Sequence, residues 1–279
     1  MKIAVLSGKG GTGKTLVSVN LAYVSNPSVY VDCDVEEPNG ALYFKPVEMM
    51  REAIQVKIPR VNHDKCTGCR ACVDFCKFNA LAFINQKIKV FDAICHSCGG
   101  CSLVCPVNAI DEVEHGIGAI EVGYAEQVKV MTGRMHIGEE TGVPIIKNLL
   151  EKIADEDQTT IIDCPPGSSC MVMESIKDAD YCILVAEPTQ FGTHNLKMVH
   201  ELVQLFDKPF GCVLNKCLDD ADPSELYCDE NNIEILGRIP FDAHLGTMNS
   251  NGVIISKVDA KYKALFQSLL NRIKEDRSI

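Results

Sequence analysis

Eight of the fifteen cysteines in this 279-residue chain fall into two runs of identical spacing. Cys66, Cys69 and Cys72 are followed after three residues by Cys76, and Cys95, Cys98 and Cys101 by Cys105. Thiolates at C-x₂-C-x₂-C-x₃-C spacing hold iron–sulfur clusters, and where two runs occur together the fourth cysteine of each ligates the other cluster. This assigns Cys66, Cys69, Cys72 and Cys105 to one [4Fe–4S] cluster, and Cys76, Cys95, Cys98 and Cys101 to a second. The stretch is also an internal repeat, since Asn79-Ala80-Leu81 matches Asn108-Ala109-Ile110 after the fourth cysteine of each run. Zinc is the competing metal because C-x₂-C pairs also build zinc sites, although a doubled three-plus-one spacing suits zinc poorly. Lys77 stands where proline usually follows the fourth cysteine. It is either a solvated side chain or a cation that tunes the neighbouring cluster or marks a docking surface.

A second set of residues points to phosphate. Gly8-Lys9-Gly10-Gly11-Thr12-Gly13-Lys14-Thr15 follows the apolar run Lys2–Leu6 and precedes helical spacing over Leu16–Val24. Strand, glycine loop and helix in that order are the context of a P-loop. The glycines let backbone N–H groups turn inward around phosphate, and the new helix adds its positive end. Lys14 is then expected on the β- and γ-phosphates, with the Thr15 hydroxyl on Mg²⁺. Further acids close other apolar runs: Asp32 and Asp34 follow Val29-Tyr30-Val31, and Asp163 follows Thr160-Ile161-Ile162. Carboxylates at the carboxyl ends of parallel strands lie where a doubly wound sheet binds its ligands, although such acids also cap turns.

These residues need a scaffold of alternating strands and helices. Tyr181–Ala186, Phe210–Leu214 and Ile235–Ile239 read as further buried strands. Ile117–Val122 and Gln127–Met131 are candidate strands, and Pro144–Ala154 reads as a helix. Residues 41–60 lose clear periodicity, with a short alternation over Ala53–Ile58 only. The last helix carries an apolar stripe at Tyr262, Leu265, Phe266, Leu269, Leu270 and Ile273. Core packing accounts for it better than a membrane anchor, given its mixed polar face.

The form KGGTGKT, with Lys9 after the first glycine, resembles the deviant Walker A loop of the MinD/ParA family of ATPases. That family includes Mrp-type carriers and the nitrogenase iron protein. The resemblance implies an α/β, doubly wound and mostly parallel sheet that binds ATP or ADP with Mg²⁺. It implies an ATP-dependent homodimer in which Lys9 reaches the partner's nucleotide. Asp32-Cys33-Asp34 looks like switch I, so that Asp34 would orient or activate the attacking water and Asp32 would support the Mg²⁺ shell. Asp163-Cys164-Pro165-Pro166-Gly167 looks like Walker B and switch II, with Asp163 on Mg²⁺ through water and the Gly167 N–H sensing the γ-phosphate. Asn215 and Pro240 fall where relatives contact adenine. The doubled cysteine run resembles a bacterial ferredoxin, here a small α+β unit at 61–114 inserted into an ATPase of 1–60 and 115–279. The ends of such an insertion should lie close together.

Composition narrows the rest. A net charge of −11 argues against non-specific DNA or anionic-membrane binding. No leading stretch reads as a signal peptide and none approaches a membrane span, so a cytoplasmic protein is expected. In that reducing compartment cysteines point to metal rather than disulfides. The seven remaining cysteines are expected to be small buried hydrophobes, although Cys33, Cys164 and Cys170 adjoin the switch segments. The C-terminal half has no C-x₂-C pair of the kind relatives use to carry a bridging cluster. Three functions remain open: an ATPase gating electron transfer to an unidentified redox or metallocofactor partner, a positioning ATPase with structural clusters, and a cluster-assembly carrier.

Overall fold

Lys2–Leu6 forms β1 in the interior of a nine-stranded sheet, and Lys14–Val24 forms α1 directly after the glycine loop. The computed structural model describes residues 1–218 and 222–276; the last three residues of the expected ATPase segment lie outside them. Ser28–Asp32 is β2, Gly40–Phe44 α2 and Val47–Val61 β3. The cysteine-rich stretch holds α3 (Ala71–Phe75), a hairpin of β4 (Leu81–Ile84) and β5 (Lys87–Val90), and α4 (Gly100–Leu103). Ile110–Ala125 is β6, Val128–Met135 β7, Val143–Glu151 α5 and Thr159–Asp163 β8. Then come α6 (Cys170–Ile176), β9 (Tyr181–Ala186), α7 (Gln190–Leu205), β10 (Phe210–Cys217) and α8 (Pro223–Glu230). Ile235–Pro240 is β11, followed by α9 (Ala243–Ser250), α10 (Ile255–Val258) and α11 (Ala260–Asp276).

The sheet order is β11-β10-β9-β1-β8-β2-β7-β6-β3, parallel from β11 to β7 and antiparallel beyond. Strands buried on both faces carry near-continuous apolar runs, as in Tyr181–Ala186, where every residue is buried. One face packs a core that includes Ile145, Leu149, Val172 and Val199; the other packs Val17, Leu21, Phe266 and Leu270. The stripe of α11 is buried in that second core, with Leu265 partly buried against it. No helix among the described residues is long and apolar enough to cross a membrane.

Two expectations need correction. Residues 47–61 form one long strand rather than a short one over Ala53–Ile58. Val47–Ala53 is exposed throughout on the sheet's outer edge, so no face demands an alternating pattern. β3 and β6 make an antiparallel ribbon that pairs Val47 with Tyr124 and Val61 with Ile110, so the cysteine-rich stretch leaves and re-enters the chain at paired residues. The scattered cysteines also differ from one another. Cys33, Cys164, Cys182, Cys212 and Cys228 are buried, Cys217 is half-buried and Cys170 is exposed. Cys170 opens α6, whose buried face is instead Val172, Ser175 and Ile176.

Candidate functional site

The glycine loop lies at the carboxyl end of β1, which is flanked by β8 on one side and β9 on the other. Gly13 has φ +98°, and a Cβ there would meet Asn215 Nδ2 at 2.1 Å. Only glycine fits both demands. The end of β10 ties the loop down: Asn215 Nδ2 donates to the Thr12 carbonyl at 2.6 Å, and Lys216 Nζ to the Gly11 carbonyl at 2.8 Å. Gly167 donates its N–H to the Ser7 carbonyl at 2.9 Å, bringing the segment after β8 against the loop.

Lys14 is buried, with Nζ 3.0 Å from Asp163 Oδ1 and 3.8 Å from Asp34 Oδ2. Burial alone would lower its pKa, but the surrounding carboxylates outweigh that and raise it. Asp163 also accepts a 2.9 Å bond from the hydroxyl of Tyr30, which is fully buried. Asp32 stands beside Asp163 in the register of β2 on β8. Burial, with Asp163 as neighbour, pushes its carboxyl up to about 8. Its two oxygens accept backbone N–H bonds from Asp34, Asn39 and Gly40 at 3.2, 3.1 and 2.9 Å, so Asp32 shapes the turn that presents Asp34. Asp34 is partly open; burial raises its pKa against the pull of Lys14.

Two adjoining cavities meet at this loop. One of about 310 Å³ is lined by Lys9, Gly10, Lys14, Thr15 and Asp34. The other, about 150 Å³, is lined by Asn215, Lys216, Pro240 and Phe241. They share Gly11, Gly13, Leu16 and Asn249, which makes them one groove with a charged end and a more apolar end. Lys9 is folded onto its own chain, paired with Glu187 and 5.1 Å from the centre of the Phe191 ring.

Sequence reasoning missed Tyr30, Glu187 and Lys216. Tyr30 was hidden inside an apolar strand. Glu187 directly follows β9 and Lys216 is the penultimate residue of β10, and that position at a strand's carboxyl end was the available signal. Lys216 Nζ lies 3.1 Å from Glu187 Oε2, so one carboxylate holds both lysines.

The eight clustered cysteines form two groups. Cys76, Cys95, Cys98 and Cys101 line a cavity of about 230 Å³, together with Phe78 and Lys77. Cys66, Cys69, Cys72 and Cys105 line a tighter one of about 20 Å³. Each fourth cysteine thus stands with the other run's first three. The repeat extends to the backbone: left-handed φ recurs at Gly68 and Ser97, at Arg70 and Gly99, and at Asn79 and Asn108. Such turns expose successive N–H groups and suit an anionic group. Among the described residues no three His, Cys, Asp or Glu side chains converge on a single metal ion. Four thiolates that each bind a different iron of one cluster need not converge so.

A loop, lysine and carboxylates in this arrangement at the head of a parallel sheet define a P-loop nucleotide-binding protein. Residues 3–255 match the CobQ/CobB/MinD/ParA nucleotide-binding domain, and the chain belongs to that family. It is 30% identical over 286 residues to an uncharacterized protein of Methanocaldococcus jannaschii, covering 99% of this chain and 97% of that one. It is 24% identical over 294 residues to the same organism's iron-sulfur cluster carrier protein, covering 98% and 84%. Among solved structures it resembles the cell division ATPase MinD of Pyrococcus furiosus, with a TM-score of 0.60 at 18% identity over 98% of each chain. That last likeness is one of fold.

Proposed function

We propose that the protein is an ATP-hydrolysing homodimer whose nucleotide state governs electron transfer through two [4Fe–4S] clusters to a partner protein. The observation that carries the reading is the cross-pairing of cysteines into two foursomes, each lining its own cavity, on a ribbon that continues the nucleotide-binding sheet. In this reading residues 61–114 are an inserted ferredoxin-like unit and the rest is the ATPase. When bound, the clusters supply one-electron carriers. The four-sulfur donor sets suit them, and the doubled three-plus-one spacing suits zinc poorly.

The P-loop amides and Lys14 cradle the β- and γ-phosphates, with Thr15 and Asp163 holding Mg²⁺. Lys14 exchanges its carboxylate partners for phosphate oxygens. Asp34 orients the attacking water, and the Gly167 N–H reads the γ-phosphate. Asn215 and Pro240 border the base. Lys9 leaves Glu187 to reach the nucleotide of the second protomer.

A second reading, a carrier of iron–sulfur clusters, is favoured by the relative of that name. The closed pattern of eight ligands and the lack of a C-terminal C-x₂-C pair favour resident clusters instead. An anaerobic redox titration followed by electron paramagnetic resonance, with ADP and then a non-hydrolysable ATP analogue, tests the proposal. Two four-iron signals with a potential that differs between nucleotides are expected. Signals unmoved by nucleotide would overturn redox coupling, and release of a cluster to an apo-acceptor would establish the carrier.

A further inference from the structure

The segment between β7 and α5 touches both halves of the molecule. At its start Met135 donates its N–H to the carbonyl of Val35, the residue after Asp34, at 2.8 Å. At its end Gly142 is so close to Val35 that a Cβ would meet Cγ2 at 2.2 Å, and a Cβ on Gly133 would meet the other methyl, Cγ1, at 2.6 Å. Val35 is therefore held from two sides with no slack. Between these points Glu140 donates its N–H to the carbonyl of Ala93 at 3.2 Å, two residues before Cys95. Glu139 Oε1 lies 2.9 Å from His115 Nε2, and His136 donates its backbone N–H to the Ile117 carbonyl at 2.8 Å, both on β6. Gly138 has φ +93° and open space around it.

We propose that residues 136–142 transmit movement of the Asp34–Val35 turn to the foursome Cys76, Cys95, Cys98 and Cys101, with Glu139 and Glu140 as positioning residues for the Ala93–Cys95 turn. The inference rests on the nucleotide-switched reading above and specifies how that switch reaches a cluster. β7 is pinned along its length by β2 and β6. A displacement of Val35 is therefore taken up beyond Met135, where the chain is exposed and contains a left-handed glycine. Backbone hydrogen bonds at both ends carry it without depending on side-chain rotamers. Among the described residues, no hydrogen bond joins this segment to the Cys66 foursome. The response is thus confined to one cluster.

Hydrogen exchange on the full, cluster-loaded protein provides the test, comparing ADP with the non-hydrolysable analogue. In the wild-type chain exchange over residues 91–98 changes with nucleotide, while residues 64–72 do not respond. Glu140→Pro removes the donor to Ala93 and abolishes the response. Glu139→Ala keeps the backbone and weakens it. Protection of 91–98 falls roughly three- to tenfold in Glu140→Pro, the equivalent of one net hydrogen bond. Iron content stays at the wild-type level in both. A wild-type chain with no response at 91–98, or variants that keep the full response, would overturn the inference even if the cluster potentials still shift. A response at 91–98 with unmoved potentials would leave the transmission standing and overturn the redox reading instead.

Discussion

Replacing Tyr30 with phenylalanine removes one oxygen from the centre of the charged cluster and nothing else. The ring stays packed against Gly40 and against Phe44, 5.0 Å away between ring centres, so no side-chain-sized cavity opens. What is lost is the 2.9 Å bond to Asp163 Oδ2. Asp163 is 1% exposed, so water does not replace the donor. Removing the hydroxyl relieves its own burial cost, but the carboxylate remains and is left one donor short. A hydrogen bond to a charged group is worth about 1.5–3 kcal/mol, and that loss prevails. At about 2–4 °C per kcal/mol for a domain of this size, the unfolding midpoint of the nucleotide-free protein should fall by roughly 3–12 °C. Asp163 also positions Lys14, so Mg²⁺-dependent ADP affinity should weaken in the same variant. Anaerobic thermal unfolding with calorimetric ADP binding reads both. A midpoint and an affinity indistinguishable from wild type would refute the view that Tyr30 holds this carboxylate.

Cys98→Ser and Cys76→Ser should remove the same resonance signal, and Cys69→Ser and Cys105→Ser the other; grouping by sequence run would refute the cross-assignment. Asp32 is raised in the folded state to about 8. Its contribution to the stability of the nucleotide-free protein is therefore present below the ordinary carboxylate range and lost as pH rises through 8. The slope is at most about 1.4 kcal/mol per pH unit for one proton, and Asp32→Asn should flatten it in denaturant titrations across that window. Asn215→Ala leaves the Thr12 carbonyl without its 2.6 Å donor and should cost about 1–3 kcal/mol, read as a lower midpoint together with weaker ADP binding.

The parallel part of the fold was legible because its strands are buried on both faces, and their apolar runs end in glycine or acid where ligands bind. The P-loop was legible for the same reason, since its glycines answer local demands such as the left-handed turn at Gly13. Cysteine spacing carried the grouping into two foursomes around separate cavities, because the repeat is written in the intervals. The β3 edge was not legible, since exposed residues obey no alternation. Nor was the hold of Glu187 on Lys9 and Lys216, which joins three residues far apart in the chain. Asp32 shows the limit within a single short segment: its type and place were evident, but its commitment to three backbone amides depends on how the following turn closes.

The ribbon of β3 and β6 has a mechanical consequence. Beyond the last pairing of β6 with β7, at Gly118 and Met135, the two strands continue without a third strand from Ile54 and Gly118 to Val61 and Ile110. At about 3.3 Å per residue this overhang is on the order of 25 Å. The cysteine-bearing tip is therefore cantilevered from one edge of the sheet, with the Glu140–Ala93 bond acting as a stay. A twist of roughly 10° at the root would sweep the tip by about 4 Å, given that overhang. Releasing or tightening such a stay would thus steer a heavy load with little rearrangement at the point of attachment.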